Sequence, residues 1–196
     1  MARQTKIVVG VLAIAAVVGL TVWGVSSGGN SVDAGAANPK SAAVDYDTAL
    51  ADAPPALARL YANGDELIPG GLSALQKQLA QLRGHPVVVN VWASWCGPCR
   101  FELPDLQKAS AARGDEVAFI GVDAEDTDPA AKTFLEEFPL PYPSVTDPDR
   151  QVKAELGLRG YPATAYYDST GKLVHLKQGP YTSLDELQAD IDKYAL

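Results

Sequence analysis

Two cysteines, Cys96 and Cys99, are the only ones in the 196 residues, and they stand where a strand pattern changes into a helical one. The run 87–93 is apolar, rich in valine and bounded by glycine and proline, which is typical of a buried strand. After Cys99, apolar residues recur at helical spacing as far as Gly114. The sequence therefore predicts a strand–turn–helix unit with Cys96 at the N-terminus of the helix.

The position of Cys96 at a helix start has a chemical consequence. The reactive form of cysteine is the thiolate, and helix N-termini and Cys-x-x-Cys motifs lower the thiol pKa from its ordinary value of about 8.5. The dipole of the first helical turn favours negative charge there, and Pro98 suits that turn because its missing N–H has no helical partner. We predict Cys96 to be the exposed, reactive thiol and Cys99 the buried one, at a spacing that allows a disulfide.

Two inert uses of a Cys-x-x-Cys motif compete with a redox role. A structural zinc site needs four ligands, and His85 and His175, the only histidines, lack the spacing of a zinc-binding pair. A purely structural disulfide would close a very short loop and remove little chain entropy. We therefore predict a redox-active cysteine pair and no metal site.

Periodic patterns on both sides of the motif predict alternating strands and helices. Strands that alternate with helices and end in a hairpin imply an α/β domain with a mixed central sheet flanked by helices. The predicted elements are a helix through Leu72, Leu75, Leu79 and Leu82, a strand over 117–122, a helix over 129–138, a short helix from Asp147 to Gly157, a hairpin of 163–167 with 173–176, and a last helix that opens with a capping box at Ser183.

Three stretches together resemble membrane-anchored extracytoplasmic thioredoxins of the TlpA/ResA/CcmG (DsbE) type. They are NVWASWCGPCRFELP at 90–104, the helix 129–138 inserted between strands, and GYPAT at 160–164. The resemblance covers roughly residues 54–196. It implies a thioredoxin-like fold and a protein-disulfide oxidoreductase whose redox group is the Cys96–Cys99 disulfide, without a further cofactor.

The resemblance also assigns roles around the cysteines. In thioredoxin-like proteins the proline that matches Pro162 is cis and faces the Cys-x-x-Cys motif, which would place the backbone of Tyr161 beside Cys96 for substrate binding. Trp95, Gly97 and Pro98 complete the expected substrate-binding set. Tyr161 is bulkier than most residues at its place in the family, and this could narrow the substrate groove.

Glu102 is the expected proton acceptor for Cys99. It stands three residues later, on the same helical face, and the resembling family has an acid there. Cytoplasmic thioredoxin has a buried aspartate where this chain has Asn90, which cannot take a proton. The alternative is that Glu102 only stabilises the helix dipole, by a few tenths of a kcal/mol.

The N-terminal part of the chain predicts a membrane anchor. Residues 7–25 are uncharged and long enough to span a bilayer of about 30 Å, and Arg3 and Lys6 precede them. We predict a cytoplasmic segment 1–6, a transmembrane helix 7–25, a flexible linker 26–55 and a thioredoxin-like domain 56–196 on the extracytoplasmic, periplasmic side of the cell membrane. A signal peptide cleaved near 34–36 is the alternative.

The expected function is reduction of disulfides in exported proteins such as apocytochrome c, with a membrane protein as the electron donor or acceptor. A disulfide-forming oxidase is the first alternative. A copper-delivery module is the second, although copper chaperones of this fold add a distal histidine and His175 has no other metal-ligand residue beside it in the sequence. The net charge of −8 and the scattered basic residues argue against nucleic acid as a partner.

Overall fold

Residues 45–196 are described in the computed structural model, and the predicted segments 1–6 and 7–25 lie outside them. Within residues 45–196, no helix combines the length and the apolar character needed to cross a membrane. The elements of this part are α1 Tyr46–Ala49, α2 Pro55–Tyr61, β1 Leu67–Pro69, α3 Gly71–Gln81, β2 Val87–Trp92, α4 Gly97–Arg113, β3 Ala118–Ala124, α5 Asp128–Glu137, β4 Ser144–Asp147, α6 Gln151–Leu156, β5 Ala163–Tyr167, β6 Leu173–Gln178 and α7 Leu184–Tyr194.

The six strands form one mixed sheet in the order β1-β4-β3-β2-β5-β6. Strands β1, β4, β3 and β2 run parallel to one another, whereas β5 pairs antiparallel with both β2 and β6. All six residues of β2 and all seven of β3 are buried, as expected for strands covered on both faces. The predicted α/β class with a mixed central sheet is confirmed.

Alternate residues of β2 belong to two separate cores. Val88 and Trp92 pack with apolar residues of α4, α5 and α7 on one face of the sheet. Val87, Val89 and Val91 pack with α2, α3 and α6 on the other face. Because side chains alternate along a strand, Asn90 lies on the first face, beneath α4, and this places it where the cysteine-bearing helix crosses the sheet.

Gly121 of β3 allows a close approach that holds the site strand. Its register partner in β2 is Asn90, and a Cβ added at Gly121 would lie 2.0 Å from Ser144 Oγ and 2.9 Å from Trp92 Nε1. The missing side chain leaves room for Trp92 Nε1 to donate a hydrogen bond to Ser144 Oγ at 3.2 Å. The fully buried Trp92 is thereby fixed a few residues before the cysteines.

The structure corrects two boundaries and adds two strands. The predicted linker 26–55 contains α1, which contacts α4, so regular structure begins before residue 56. The short helix begins at Gln151 rather than Asp147, because Asp147 ends β4 and its carboxylate accepts the N–H groups of Gln151 and Val152. Strands β1 and β4 were not predicted, since three and four residues are too few to show a periodicity.

Candidate active site

Cys96 and Cys99 form a disulfide, with their Cα atoms 5.3 Å apart. Cys96 is the N-cap of α4, and its sulfur accepts a hydrogen bond from the N–H of Cys99 at 3.2 Å. Pro98 occupies the first turn of the helix. The predicted position of Cys96 is confirmed, because an N-cap is where orphan N–H groups and the helix dipole act on a sulfur.

Both cysteines are well covered in this disulfide form. Cys96 is 4% exposed and Cys99 is fully buried. The predicted order of exposure is therefore confirmed, but the prediction that Cys96 is an exposed residue is wrong. Cys96 belongs to the core cluster beneath α4, and Tyr161 packs against that cluster.

Glu102 is buried within the protein, at 1% exposure. Its Oε1 accepts a hydrogen bond from Asn90 Nδ2 at 2.8 Å, and its Oε2 accepts one from the backbone N–H of Tyr181 at 2.9 Å. Burial raises the pKa of Glu102 to about 7, against the opposing effect of these two hydrogen bonds and of the Lys177 charge. The carboxyl group can therefore exchange a proton near neutral pH, one helical turn after Cys99.

Trp95 and Tyr161 form an aromatic rim beside the cysteine loop. Trp95 is 60% exposed, its ring meets that of Tyr161 edge to face at 5.8 Å, and its Nε1 donates to the carbonyl of Glu125 at 3.2 Å. Tyr161 donates its hydroxyl to Glu125 Oε1 at 3.0 Å, and Lys153 Nζ donates to the same oxygen at 2.8 Å. The hydrogen bond to Glu125 thus holds the Tyr161 side chain in contact with the ring of Trp95.

The peptide bond between Tyr161 and Pro162 is cis, as expected from the resemblance. Pro162 is buried and directly precedes β5, the antiparallel neighbour of β2. The pairing of Val91 with Ala163 brings this turn to the end of β2 from which the cysteine loop leaves. The two sequence segments that carry the resemblance therefore meet at one edge of the sheet.

On the other side of the cysteines, α4 faces the loop between β6 and α7 across an apolar groove of about 550 Å³. Phe101 of α4 is 86% exposed, the largest exposure among the large apolar residues of 45–196. The groove is lined by Gly97, Pro98, Phe101, Asp105, Pro180, Tyr181 and Thr182. Two residues of the motif thus also form part of this groove.

Sequence reasoning missed three residues near the site. Tyr181 anchors Glu102 from 79 residues away, and no local pattern reports such a contact. Asp126 Oδ2 accepts the N–H of Ser94 at 2.6 Å. Asp123, only 2% exposed at the end of β3, has a pKa raised to about 8 by burial and by the neighbouring carboxyl group of Asp126. The position of Asp123 at the end of an apolar strand was the one feature of the sequence that could have indicated a buried acid.

The two histidines lie away from the cysteines. His175 of β6 is half-buried and stacks on Tyr194 at 3.8 Å between ring centroids. His85 is half-buried just before β2. Within residues 45–196, no group of three or more His, Cys, Asp or Glu side chains is arranged to hold a metal ion.

A mixed sheet flanked by helices, with a disulfide at the N-terminus of α4 and a cis-proline turn at the same edge, defines a thioredoxin-like thiol–disulfide oxidoreductase. The chain belongs to the Redoxin family, whose sequence profile matches residues 71–191. It is accordingly a protein-disulfide oxidoreductase.

Individual relatives agree with this family. The chain is 34% identical over 140 residues to the thiol:disulfide interchange protein HelX of Rhodobacter capsulatus, a match that covers 71% of this chain and 77% of HelX. It is 30% identical over 119 residues to the thiol-disulfide oxidoreductase ResA of Oceanobacillus iheyensis, covering 60% of this chain and 62% of ResA. The solved structure of MTB dsbF in its mixed oxidized and reduced forms has a TM-score of 0.53 and 32% identity, covering 58% of this chain and 83% of dsbF.

Proposed function

We propose that the protein acts outside the cytoplasm, anchored by residues 7–25, and reduces disulfides of exported proteins such as apocytochrome c. The observation that carries this proposal is an N-capping Cys96 combined with a buried carboxyl group, that of Glu102, one turn beyond Cys99. Relatives named DsbE, HelX and ResA support it. The redox group is the Cys96–Cys99 pair itself, and a membrane protein restores its reduced form.

The reaction begins at Cys96. Its thiolate attacks one sulfur of the client disulfide, so that the client S–S bond breaks, a mixed disulfide forms and one client thiolate leaves. The N–H of Cys99, which already points at Cys96 Sγ, stabilises the negative charge on Cys96 before the attack. The thiolate of Cys99 then attacks Cys96 Sγ, forms the intramolecular disulfide and releases the second client thiolate. Two electrons pass from the dithiol to the client.

Cys99 must lose its proton before the second step, and complete burial opposes this because it raises the pKa of a thiol. Glu102 takes that proton. Its raised pKa, about 7, matches the acceptor to the working pH. Asn90 holds the carboxyl group by donating a hydrogen bond, which leaves Glu102 as the titrating member of the pair.

The client lies between the aromatic rim and the groove beside Phe101. Trp95 and Tyr161 contact it on one side, with Pro162 forming the turn beneath them. Gly97 and Pro98 contact it on the other side, since they line the groove next to the disulfide. A Cβ added at Gly97 would meet no atom within 4 Å, so the fold itself does not require a glycine there. The bare backbone instead favours close approach of a client.

The direction of electron transfer is tested with the domain 45–196 and an oxidised peptide containing Cys-x-x-Cys-His, the haem-attachment motif of c-type cytochromes. We expect the reduced protein to reduce the peptide, and its equilibrium with glutathione to give a potential below that of the glutathione pool. A potential well above that pool, with net oxidation of reduced peptides, would favour the disulfide-forming oxidase instead.

The anchor is tested separately on the full chain. We expect the mature protein to keep residues 7–25, to sediment with membranes and to be degraded by protease added from the extracytoplasmic side. A soluble mature chain that begins near residue 37 would contradict the anchor but not the export.

A further inference from the structure

Asp123 is an acid in an unusual place, at the end of an all-buried strand with 2% of its surface exposed. Its register partners are Trp92 in β2 and Thr146 in β4. Among residues 45–196, its Oδ1 has no hydrogen-bond partner. Burying an ionised carboxylate without a cation is expensive, so this position favours the protonated acid.

The charged groups that act on Asp123 are themselves acidic. The carboxyl group of Asp126 is near enough to that of Asp123 to accept its proton in a hydrogen bond, and the charges of Asp126 and Asp128 both disfavour ionisation of Asp123. From α4, Arg100 reaches the carbonyl of Ser94 at 3.4 Å and is engaged with Glu137 at 2.5 Å. A hydrogen bond between two carboxyl groups needs one proton, and in this pair the buried Asp123 is the group that carries it.

This pair holds the backbone that leads into the reactive disulfide. Asp126 Oδ2 accepts the N–H of Ser94 at 2.6 Å, and its Oδ1 accepts the N–H of Thr127 at 3.1 Å. The neighbouring carbonyl of Glu125 accepts the indole N–H of Trp95. The loop after β3 therefore fixes the two residues that precede Cys96.

We propose that Asp123 and Asp126 are positioning residues whose shared proton holds the Ser94–Trp95 segment in place for the reaction at Cys96. When the proton is lost, two negative charges face each other, Asp126 turns away from Asp123 and the N–H of Ser94 loses its acceptor. The rim residue Trp95 is then released, and thiol–disulfide exchange at Cys96 slows. The proposal rests on the oxidoreductase activity and predicts that the rate of this activity falls at alkaline pH.

Asp123→Asn is the decisive variant, because asparagine keeps the shape and a donor toward Asp126 but cannot lose a proton. The first readout needs no activity: the amide chemical shift of Ser94 is followed by NMR in the oxidised protein from pH 6 to pH 10. The wild type should show an inflection near the pKa of about 8, and Asp123→Asn should show none. Asp128→Asn removes a charge outside the pair and should keep the inflection.

Exchange with a disulfide peptide is the second readout. For a pKa of about 8, the protonated fraction falls about tenfold between pH 7 and pH 9. The rate of Asp123→Asn divided by that of the wild type should therefore rise about tenfold over this range. An unchanged Ser94 inflection in Asp123→Asn overturns the proposal, as does a flat rate ratio.

If Asp123→Asn folds poorly, a second variant tests the same pair. Asp126→Asn removes the facing charge, and the remaining acid should titrate at clearly lower pH; an inflection still near pH 8 overturns the proposal. A normal Ser94 titration in a protein without exchange activity would contradict the proposed reaction at Cys96 instead, so the two failures are distinguishable.

Discussion

Replacing Glu102 with glutamine separates a proton-transfer role from a structural one. Glu102 is 1% exposed, and its pKa rises from an ordinary 4.5 to about 7 in the folded protein. The folded state therefore binds more protons than the unfolded state between these values, and stability falls as the pH rises through this window. At about 1.4 kcal/mol per pKa unit, the free energy of unfolding falls by about 3 kcal/mol over the whole window. About 2 kcal/mol of this decrease occurs between pH 5 and pH 7.

Glutamine can satisfy the same partners. Its carbonyl can accept the N–H of Tyr181. Asn90 Oδ1 has no hydrogen-bond partner within residues 45–196, and after a flip of the Asn90 amide this oxygen can accept a hydrogen bond from the glutamine amide. Glu102→Gln should therefore fold, and its stability should lack the pH dependence that protonation of Glu102 causes. Measured by urea unfolding of the oxidised protein, its stability relative to the wild type should increase by about 2 kcal/mol from pH 5 to pH 7.

The activity of the same variant is measured as turnover of a disulfide peptide against pH. Without a proton acceptor for Cys99, we expect turnover at neutral pH to fall on the order of a hundredfold, with a changed pH profile. Lys108→Gln removes an exposed charge from the same helix, away from the groove, and should leave both the stability slope and the profile near those of the wild type. If Glu102→Gln only lowered thermal stability and left the pH–rate profile unchanged, the helix-dipole explanation would be correct.

Three further changes test the rest of the site. Cys99→Ser should accumulate a mixed disulfide through Cys96, seen on non-reducing gels; trapping by Cys96→Ser alone would reverse the two roles. Phe101→Ser should raise the KM for apolar peptides several-fold and leave the free energy of unfolding in urea within about 0.5 kcal/mol of the wild-type value, because the ring is 86% exposed; an unchanged KM would exclude the groove as a client contact. Gly121→Ala should destabilise the protein by about 1–3 kcal/mol or more, because the added Cβ would lie only 2.0 Å from Ser144 Oγ, whereas Gly97→Ala should not; equal stabilities would contradict the close approach.

The sequence by itself determined the local chemistry. A valine-rich run before Cys96 and helical spacing after Cys99 were enough to place Cys96 at a helix start, because strands and helices have short periods that the order of residues displays directly. The α/β class and the cis bond before Pro162 were predicted as well, the latter through the resemblance. The shortest strands, β1 and β4, were not predicted.

Only the tertiary structure decided what surrounds the cysteines. Tyr161, 65 residues after Cys96 in the chain, packs against the core cluster that contains Cys96. Burial raises the pKa of Glu102, and hydrogen bonds from residues 12 and 79 positions away oppose that rise and hold the carboxyl group in place. Asp126 accepts the N–H of Ser94, 32 residues earlier in the chain, because β2 and β3 lie side by side in register. Burial and long-range pairing arise from the packing of the whole sheet, which no window of the sequence contains.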